Sequence, residues 1–286
     1  MIVSCTAFAI MWALIRLASA DLHPFEIVFF RNIIGLAALS PVLLANRGLL
    51  QSARMPIHLR RATSGFLATL GTFYAIANAP LATVLAINYT APLFATVGAV
   101  LLLGERIHGR RVAALLVGFA GMLIVLRPGA APLTPGLAAA MLSAVATGLS
   151  IVAIRSLVGS DDPRAVTAWS FILMTPPSLV VALFVWRWPS LHVWPLLAAI
   201  GVAAAIGQSA LSNAFALSEA SAVLPYDFVR FGLITAFGIG LFGERYDIGT
   251  FIGGGVILGT TVYLAYREAV VGRRLARRLA ESAAAP

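Results

Sequence analysis

The chain carries one cysteine, Cys5, no lysine, and few charges of either sign: 11% of its 286 residues are charged. A single cysteine excludes an internal disulfide, and with only four histidines, scattered along the chain, no Cys/His zinc cluster can be built. Soluble domains carry about 25% charged residues, so this shortage excludes an ordinary soluble globule and a disordered chain. No stretch is long and polar enough for a separate soluble domain. Apolar residues fill the chain instead, at 60%, with a mean hydropathy of +0.94.

The charge that remains is one-sided. All twenty basic residues are Arg, and the net charge is +9. A pI near 10.9 would suggest nucleic acid in a soluble protein. Here the arginines lie between apolar runs and no folded soluble module carries them, so no nucleic-acid partner is expected. They read as a topology signal.

A membrane helix takes roughly 20 apolar residues. Ten candidate spans lie near 1–20, 25–45, 62–79, 81–103, 110–127, 135–155, 164–186, 193–217, 220–242 and 248–266. The runs are continuous and rich in Leu and Ala, unlike the alternating segments of a β-barrel. Arg47, Arg54, Arg60, Arg61, Arg106, Arg110, Arg111, Arg155 and Arg164 fall on one side, with five arginines of the C-terminal segment. The other side holds Arg16, Arg127, Arg187 and Arg245. The positive-inside rule places both termini in the cytoplasm. The basic tail, 269–286, is expected to be a frayed helix against anionic head groups. The start lacks the basic region of a signal peptide and is read as a first span; against its repeat counterpart about five residues of a roughly 20-residue span are missing, because either the true start lies earlier or the first helix is short.

An internal repeat underlies the spans. Gly104-Glu105-Arg106 recurs as Gly243-Glu244-Arg245, an offset of 139. The same offset pairs Arg16 with Arg155, Pro24 with Pro163, Leu85 with Leu224 and Thr96 with Thr235. Each half holds five spans, an odd number, so the halves enter the membrane with opposite polarity. Such inverted repeats rock about a central site. The expected fold is an all-α polytopic membrane protein, about ten transmembrane helices in two inverted five-helix repeats around a central cavity. The repeats are placed at 1–129 and 134–268.

Several motifs resemble one family. Pro24-Phe25-Glu26-Ile27-Val28-Phe29-Phe30-Arg31, Asn88-Tyr89-Thr90-Ala91-Pro92-Leu93-Phe94 and Leu103-Gly104-Glu105-Arg106 are similar to segments of the EamA branch of the drug/metabolite transporter superfamily. So are Gly118-Phe119-Ala120-Gly121, Leu126-Arg127-Pro128-Gly129, Ala222-Val223-Leu224-Pro225-Tyr226-Asp227 and Phe242-Gly243-Glu244-Arg245. The resemblance implies a secondary carrier of small metabolites in the bacterial inner membrane, often an exporter. The Pro-Tyr-Asp segment is also similar to relatives that carry S-adenosylmethionine or riboflavin. No cofactor is implied.

Ionisable groups inside spans are expensive and are functional candidates by default. Asp227 and Arg230, three residues apart, share a helix face in span 9. They either neutralise each other or hold a zwitterion, ammonium on Asp227 and carboxylate on Arg230. Asn88 occupies the repeat position of Asp227, beside Tyr89. Pro92 and Pro225 each interrupt the hydrogen bonding of their helix, and broken helices at equivalent positions point to a transporter's binding site. They are read as helix-break or gating residues. Arg31 is a snorkelling side chain, a gate, or a partner for Asp227. Trp12, Tyr74, Asn78, Gln208 and Asn213 add polar and aromatic character to a substrate site or to interhelical contacts. The two Gly-Glu-Arg triplets are read as structural or hinge elements. Gly249, Gly253, Gly255 and Gly259 permit close packing of span 10, within the bundle or in a homodimer.

Rival functions fit less well. No H-E-x-x-H motif or intramembrane Ser/His dyad supports an enzyme. A channel would show a pore loop or ring of charges. A non-transporting scaffold would leave the paired breaks unexplained. The expected function is a secondary transporter, exporter or exchanger, for a small zwitterion such as an amino acid. An uptake carrier for S-adenosylmethionine or riboflavin is the alternative.

Overall fold

The computed structural model describes residues 1–46, 50, 55–103, 109–126, 133–155, 162–217 and 227–283. Among these residues there are eleven helices and no strand. The first half holds α1 (Ile2–Ala18), α2 (Pro24–Ala45), α3 (Met55–Asn78), α4 (Leu81–Asn88), α5 (Ala91–Leu103) and α6 (Gly109–Leu126). The second holds α7 (Pro135–Arg155), α8 (Pro163–Leu183), α9 (Trp194–Leu217), α10 (Asp227–Phe242) and α11 (Ile248–Ala283). Span 4 is therefore a broken helix, α4 followed by α5. Among the described residues, each of the other spans shows one helix. The C-terminal segment is a direct continuation of span 10: α11 runs for 36 residues, about 54 Å at 1.5 Å per residue, well beyond a hydrocarbon core of about 30 Å.

Among the described residues, five segments are long and apolar enough to cross a membrane: Pro24–Ala45, Leu81–Gly98, Pro135–Val152, Arg164–Leu183 and Trp194–Ala214. Four shorter apolar helices accompany them, within α1, α6, α10 and α11. The outside of the bundle is apolar, with Phe184 at 85% and Leu142 at 70% exposure. Such a surface fits acyl chains and not water.

Local chemistry sets the helix ends. Pro24 opens α2, where its missing N–H costs nothing. The His23 ring accepts from Phe25 N–H at 3.3 Å, and the Glu26 carboxylate accepts from His23 N–H at 3.0 Å. Asp162 caps α8 by accepting from Arg164 N–H at 2.7 Å. Inside α2, Pro41 deprives the Ala37 carbonyl of its donor, and the Ser40 hydroxyl replaces it at 2.7 Å.

The most extensive packing is all between halves: α3 on α7, α1 on α9, α2 on α8 and α9, α5 on α7, and α6 on α11. The repeat equates α1 with α7, α2 with α8, α3 with α9, α4–α5 with α10, and α6 with α11. Under that exchange α3–α7 becomes α9–α1, α5–α7 becomes α10–α1, and α2–α8 and α6–α11 map onto themselves. The packing therefore carries the pseudo-twofold symmetry of the sequence repeat, and neither half buries its apolar faces alone.

Glycines allow the closest approaches. A Cβ on Gly253 would lie 2.6 Å from the Gly121 carbonyl oxygen, and one on Gly35 2.5 Å from the Phe171 ring. Gly253 thus serves α6–α11 packing within the bundle, whereas Gly255 and Gly259 face open space. Gly253→Leu is expected to cost about 1–3 kcal/mol by overpacking and to lower the detergent melting temperature. Gly255→Leu should leave it unchanged or raise it.

Candidate functional site

The break in span 4 organises the first part of the site. α4 ends at Asn88 and α5 begins at Ala91, so Pro92 sits in the first turn of α5, where its ring is tolerated. Thr90 takes the role of the residue before the helix, accepting from Leu93 N–H at 2.9 Å. The carbonyl of Tyr89 leaves the helical ladder and accepts from the Thr261 hydroxyl of α11 at 3.1 Å.

Three of the sequence candidates meet here. The Arg230 guanidinium lies 5.6 Å from the Tyr89 ring centroid and 6.0 Å from that of Trp12. Trp12 and Tyr89 are buried, and Tyr89 also packs against Phe231. Side chains from α1, from the break after α4 and from α10 thus meet, with the two aromatic rings beside the guanidinium, a favourable arrangement. Asn88 adjoins it. Its Oδ1 lies 3.3 Å from the Ser143 hydroxyl of α7, which is also 2.8 Å from the Ala68 carbonyl. The Asn88 Nδ2 is buried without a partner. Asp227 is the first residue of α10; its side chain, and Pro225, lie outside the described residues.

Other candidates are placed elsewhere. Tyr74 packs against Phe25 at 6.3 Å. Asn78 is exposed and donates to the Tyr74 carbonyl of its own helix at 2.8 Å. Asn213 is exposed near the end of α9.

Gln208 and Arg31 line a cavity of about 230 Å³ between α2, α3, α7, α8 and α9, together with Arg61, Thr69, Thr147, Ser150, Ser170 and Phe171. Arg31 is 9% exposed and does not snorkel. Its guanidinium carbon lies 4.7 Å above the Phe171 ring centroid, and Nη1 donates to Asn32 Oδ1 at 2.7 Å. The Asn32 amide reaches Ser178 of α8 at 3.3 Å. Arg61 is also 9% exposed and donates to the Val166 carbonyl at 2.9 Å. Sequence reasoning had counted Arg61 only as a topology charge. The missed signal was the run Arg61, Gly65, Ala68, Thr69, one small-residue face of α3 behind the arginine.

The second Gly-Glu-Arg triplet closes the bundle on the side away from the termini. Gly243 has φ +61, a left-handed value suited to glycine at a helix end. Glu244 Oε2 then accepts from Leu81 N–H at 3.0 Å, capping α4, and from the Tyr246 hydroxyl. Arg16 of α1 lies 3.7 Å from Glu244 Oε1 and donates to the Ile76 carbonyl at 2.5 Å, closing the end of α3. The first triplet, 104–106, is outside the described residues.

Ten membrane helices in two repeats, with a helix broken at mid-span and buried cations beside a cavity, define a multi-pass membrane transporter. More narrowly, the chain belongs to the EamA-like transporter family, whose model matches residues 1–127 and again 134–266. It is 26% identical to an S-adenosylmethionine uptake transporter of Rickettsia bellii, over 86% of this chain and 85% of that protein. It is 33% identical to a pseudopaline exporter of Pseudomonas aeruginosa over 63% of each. A riboflavin transporter of Rhizobium johnstonii is 36% identical over 42% of this chain and 39% of its own length. One protein solved by crystallography superposes with a TM-score of 0.64 at 22% identity, covering 91% of this chain and 95% of its own, and so shares the fold. These family ties mark a transporter that lies in a lipid bilayer and handles a small molecule.

Burial, and then the hydrogen bond to Glu244, raise the Tyr246 phenol above its usual range. The fold favours the protonated form. That contribution is complete below the unfolded value, about 10, and is lost as pH rises through the folded value. In an alkaline ultraviolet titration, Tyr246→Phe should remove a phenol that ionises later than exposed tyrosines; loss of an early one would contradict this.

Proposed function

We propose that this chain is a secondary carrier of the bacterial inner membrane, with both termini cytoplasmic, that moves a small zwitterion of the amino-acid class by alternating access. The observation that carries this reading is the meeting of Trp12, Tyr89 and Arg230 beside the broken span 4. Non-helical backbone is tolerated at membrane depth only against protein or a water-filled cavity. Arg230 offers a planar fork for a carboxylate. Asp227, three residues earlier on the helix, would take the ammonium. The Asn88 amide supplies a further donor. On this reading Asp227 serves as a fixed charge and not as a proton carrier.

The interfaces between halves support alternating access. Packing that maps onto itself under the repeat lets one half-bundle rock against the other, closing one side as the other opens. The Arg16–Glu244 contact ties α1 and the end of α10 on the far side, a state closed there. Export or exchange is the reading carried here. The names of the Rickettsia and Rhizobium relatives favour uptake of S-adenosylmethionine or riboflavin as the second reading.

Proteoliposomes holding the protein should take up labelled zwitterionic amino acids saturably. Losing one charge-assisted bond costs about 1.5–3 kcal/mol, roughly tenfold or more in affinity. Asp227→Asn and Arg230→Gln should each weaken uptake by that factor. Unchanged transport by both variants would move the site elsewhere. Uptake of S-adenosylmethionine or riboflavin in place of amino acids would establish the second reading.

A further inference from the structure

The Arg31–Arg61 cavity has a charge imbalance that the zwitterion site does not explain. Each guanidinium presents five N–H donors and stays ionised at any working pH. One donor on each is used inside the protein, toward Asn32 and toward Val166. The Arg31 Nε is buried with no partner. Among the described residues neither arginine has a carboxylate partner, though both line the same cavity and are nine-tenths buried. Two like charges held in a membrane interior without a counter-charge are costly. An anion in the cavity would offset both.

The lining is suited to such an anion. Thr69, Thr147, Ser150, Ser170 and Gln208 add hydroxyl and amide groups, and Phe171 fixes the plane of the Arg31 fork. At about 230 Å³ the cavity is smaller than pockets enclosing drug-sized ligands, which run from roughly 300 to 1,000 Å³. It fits one small acid or the acidic end of a larger molecule. It also adjoins the first site: Ala68 lines the cavity, and its carbonyl meets Ser143, the partner of Asn88.

We propose that the Arg31–Arg61 cavity is an anion subsite that receives a carboxylate of the transported molecule, so that small carboxylic acids, di-acids foremost, are ligands of this carrier. The subsite needs no particular role for Asp227; its assignment to cargo rests on the transporter reading above.

The test uses the full-length protein in detergent and measures its melting temperature in sodium succinate, sodium phosphate and sodium chloride at matched ionic strength. Succinate should raise the melting temperature saturably, and chloride should not. The double variant Arg31→Met with Arg61→Met should lose the succinate response. Its melting temperature without succinate should equal or exceed that of the unaltered protein, because apolar replacement of a buried unpaired charge is neutral or stabilising. Arg31→Lys, which keeps the charge, should weaken the succinate midpoint several-fold, and Arg164→Gln, at an exposed site, should respond like the unaltered protein. A succinate response that persists in the double variant, or no response beyond chloride in the unaltered protein, would overturn the subsite.

Proteoliposomes then separate cargo from a resident ion. Entry of labelled succinate accelerated by internal succinate supports the assignment. Equal stabilisation by phosphate with no succinate exchange would make the cavity a resident-anion site and overturn the assignment to cargo. Transport of amino acids without succinate binding would sink this inference alone. Succinate binding through Arg31 and Arg61, with no compound crossing, would sink the transporter reading and leave the subsite.

Discussion

A lipid interior supplies no hydrogen bonds, so each interrupted backbone group and each charge in this chain has to be met from within the protein. Most of them are. Ser40 restores the carbonyl that Pro41 leaves open. Thr261 meets the Tyr89 carbonyl at the break in span 4. Glu26 accepts from the backbone of His23 and of Arg187, tying the start of α2 to the segment after α8. Glu244 and Arg16 close the facing ends of α4 and α3. Against that background some buried donors left over stand out, Asn88 Nδ2, Arg31 Nε and Trp169 Nε1 among them. Arg31 lines the cavity, Asn88 reaches it through Ser143, and Trp169 directly precedes the lining residue Ser170. Water or ligand has to be available where the protein itself supplies nothing.

The repeat converts this local requirement into a mechanism. The main packing surfaces join one half to the other and, as a set, map onto themselves under the repeat, which on the alternating-access proposal lets the halves take two related arrangements. Only differences between the halves select one. The buried arginines are such a difference: Arg31 and Arg61 belong to the first half, on α2 and α3, while Arg230 belongs to the second. A ligand bridging these charges would bias the balance between arrangements by whatever affinity difference it has for them.

Much of this was legible in the chain. The continuous apolar runs, the single offset of 139 and the arginine distribution led to ten spans in two repeats. The break in span 4 was placed at Pro92, whereas the helix stops at Asn88. The reason is local: proline fits the first turn of a new helix better than the middle of an old one, so the interruption falls ahead of it. The convergence of Arg230, Trp12 and Tyr89 could not be read from spacing, because each lies on a different helix. Arg31 was given a snorkelling alternative because a lone arginine gives no sign of which helix covers it; Phe171 and Asn32 do. Asn78 and Asn213 turned out exposed for the same reason in reverse.

The central claim is that polar side chains between the halves line a wet pathway, while the outer surface is sealed by lipid. Single cysteines in a Cys5→Ala background, treated in proteoliposomes with a hydrophilic thiol reagent, test it directly. Leu142 is far more exposed than Thr147 on the bare protein. Thr147 lines the cavity. Thr147→Cys should react readily, and Leu142→Cys, covered by acyl chains, should not. The reverse order would contradict a water-filled site inside a membrane-embedded bundle.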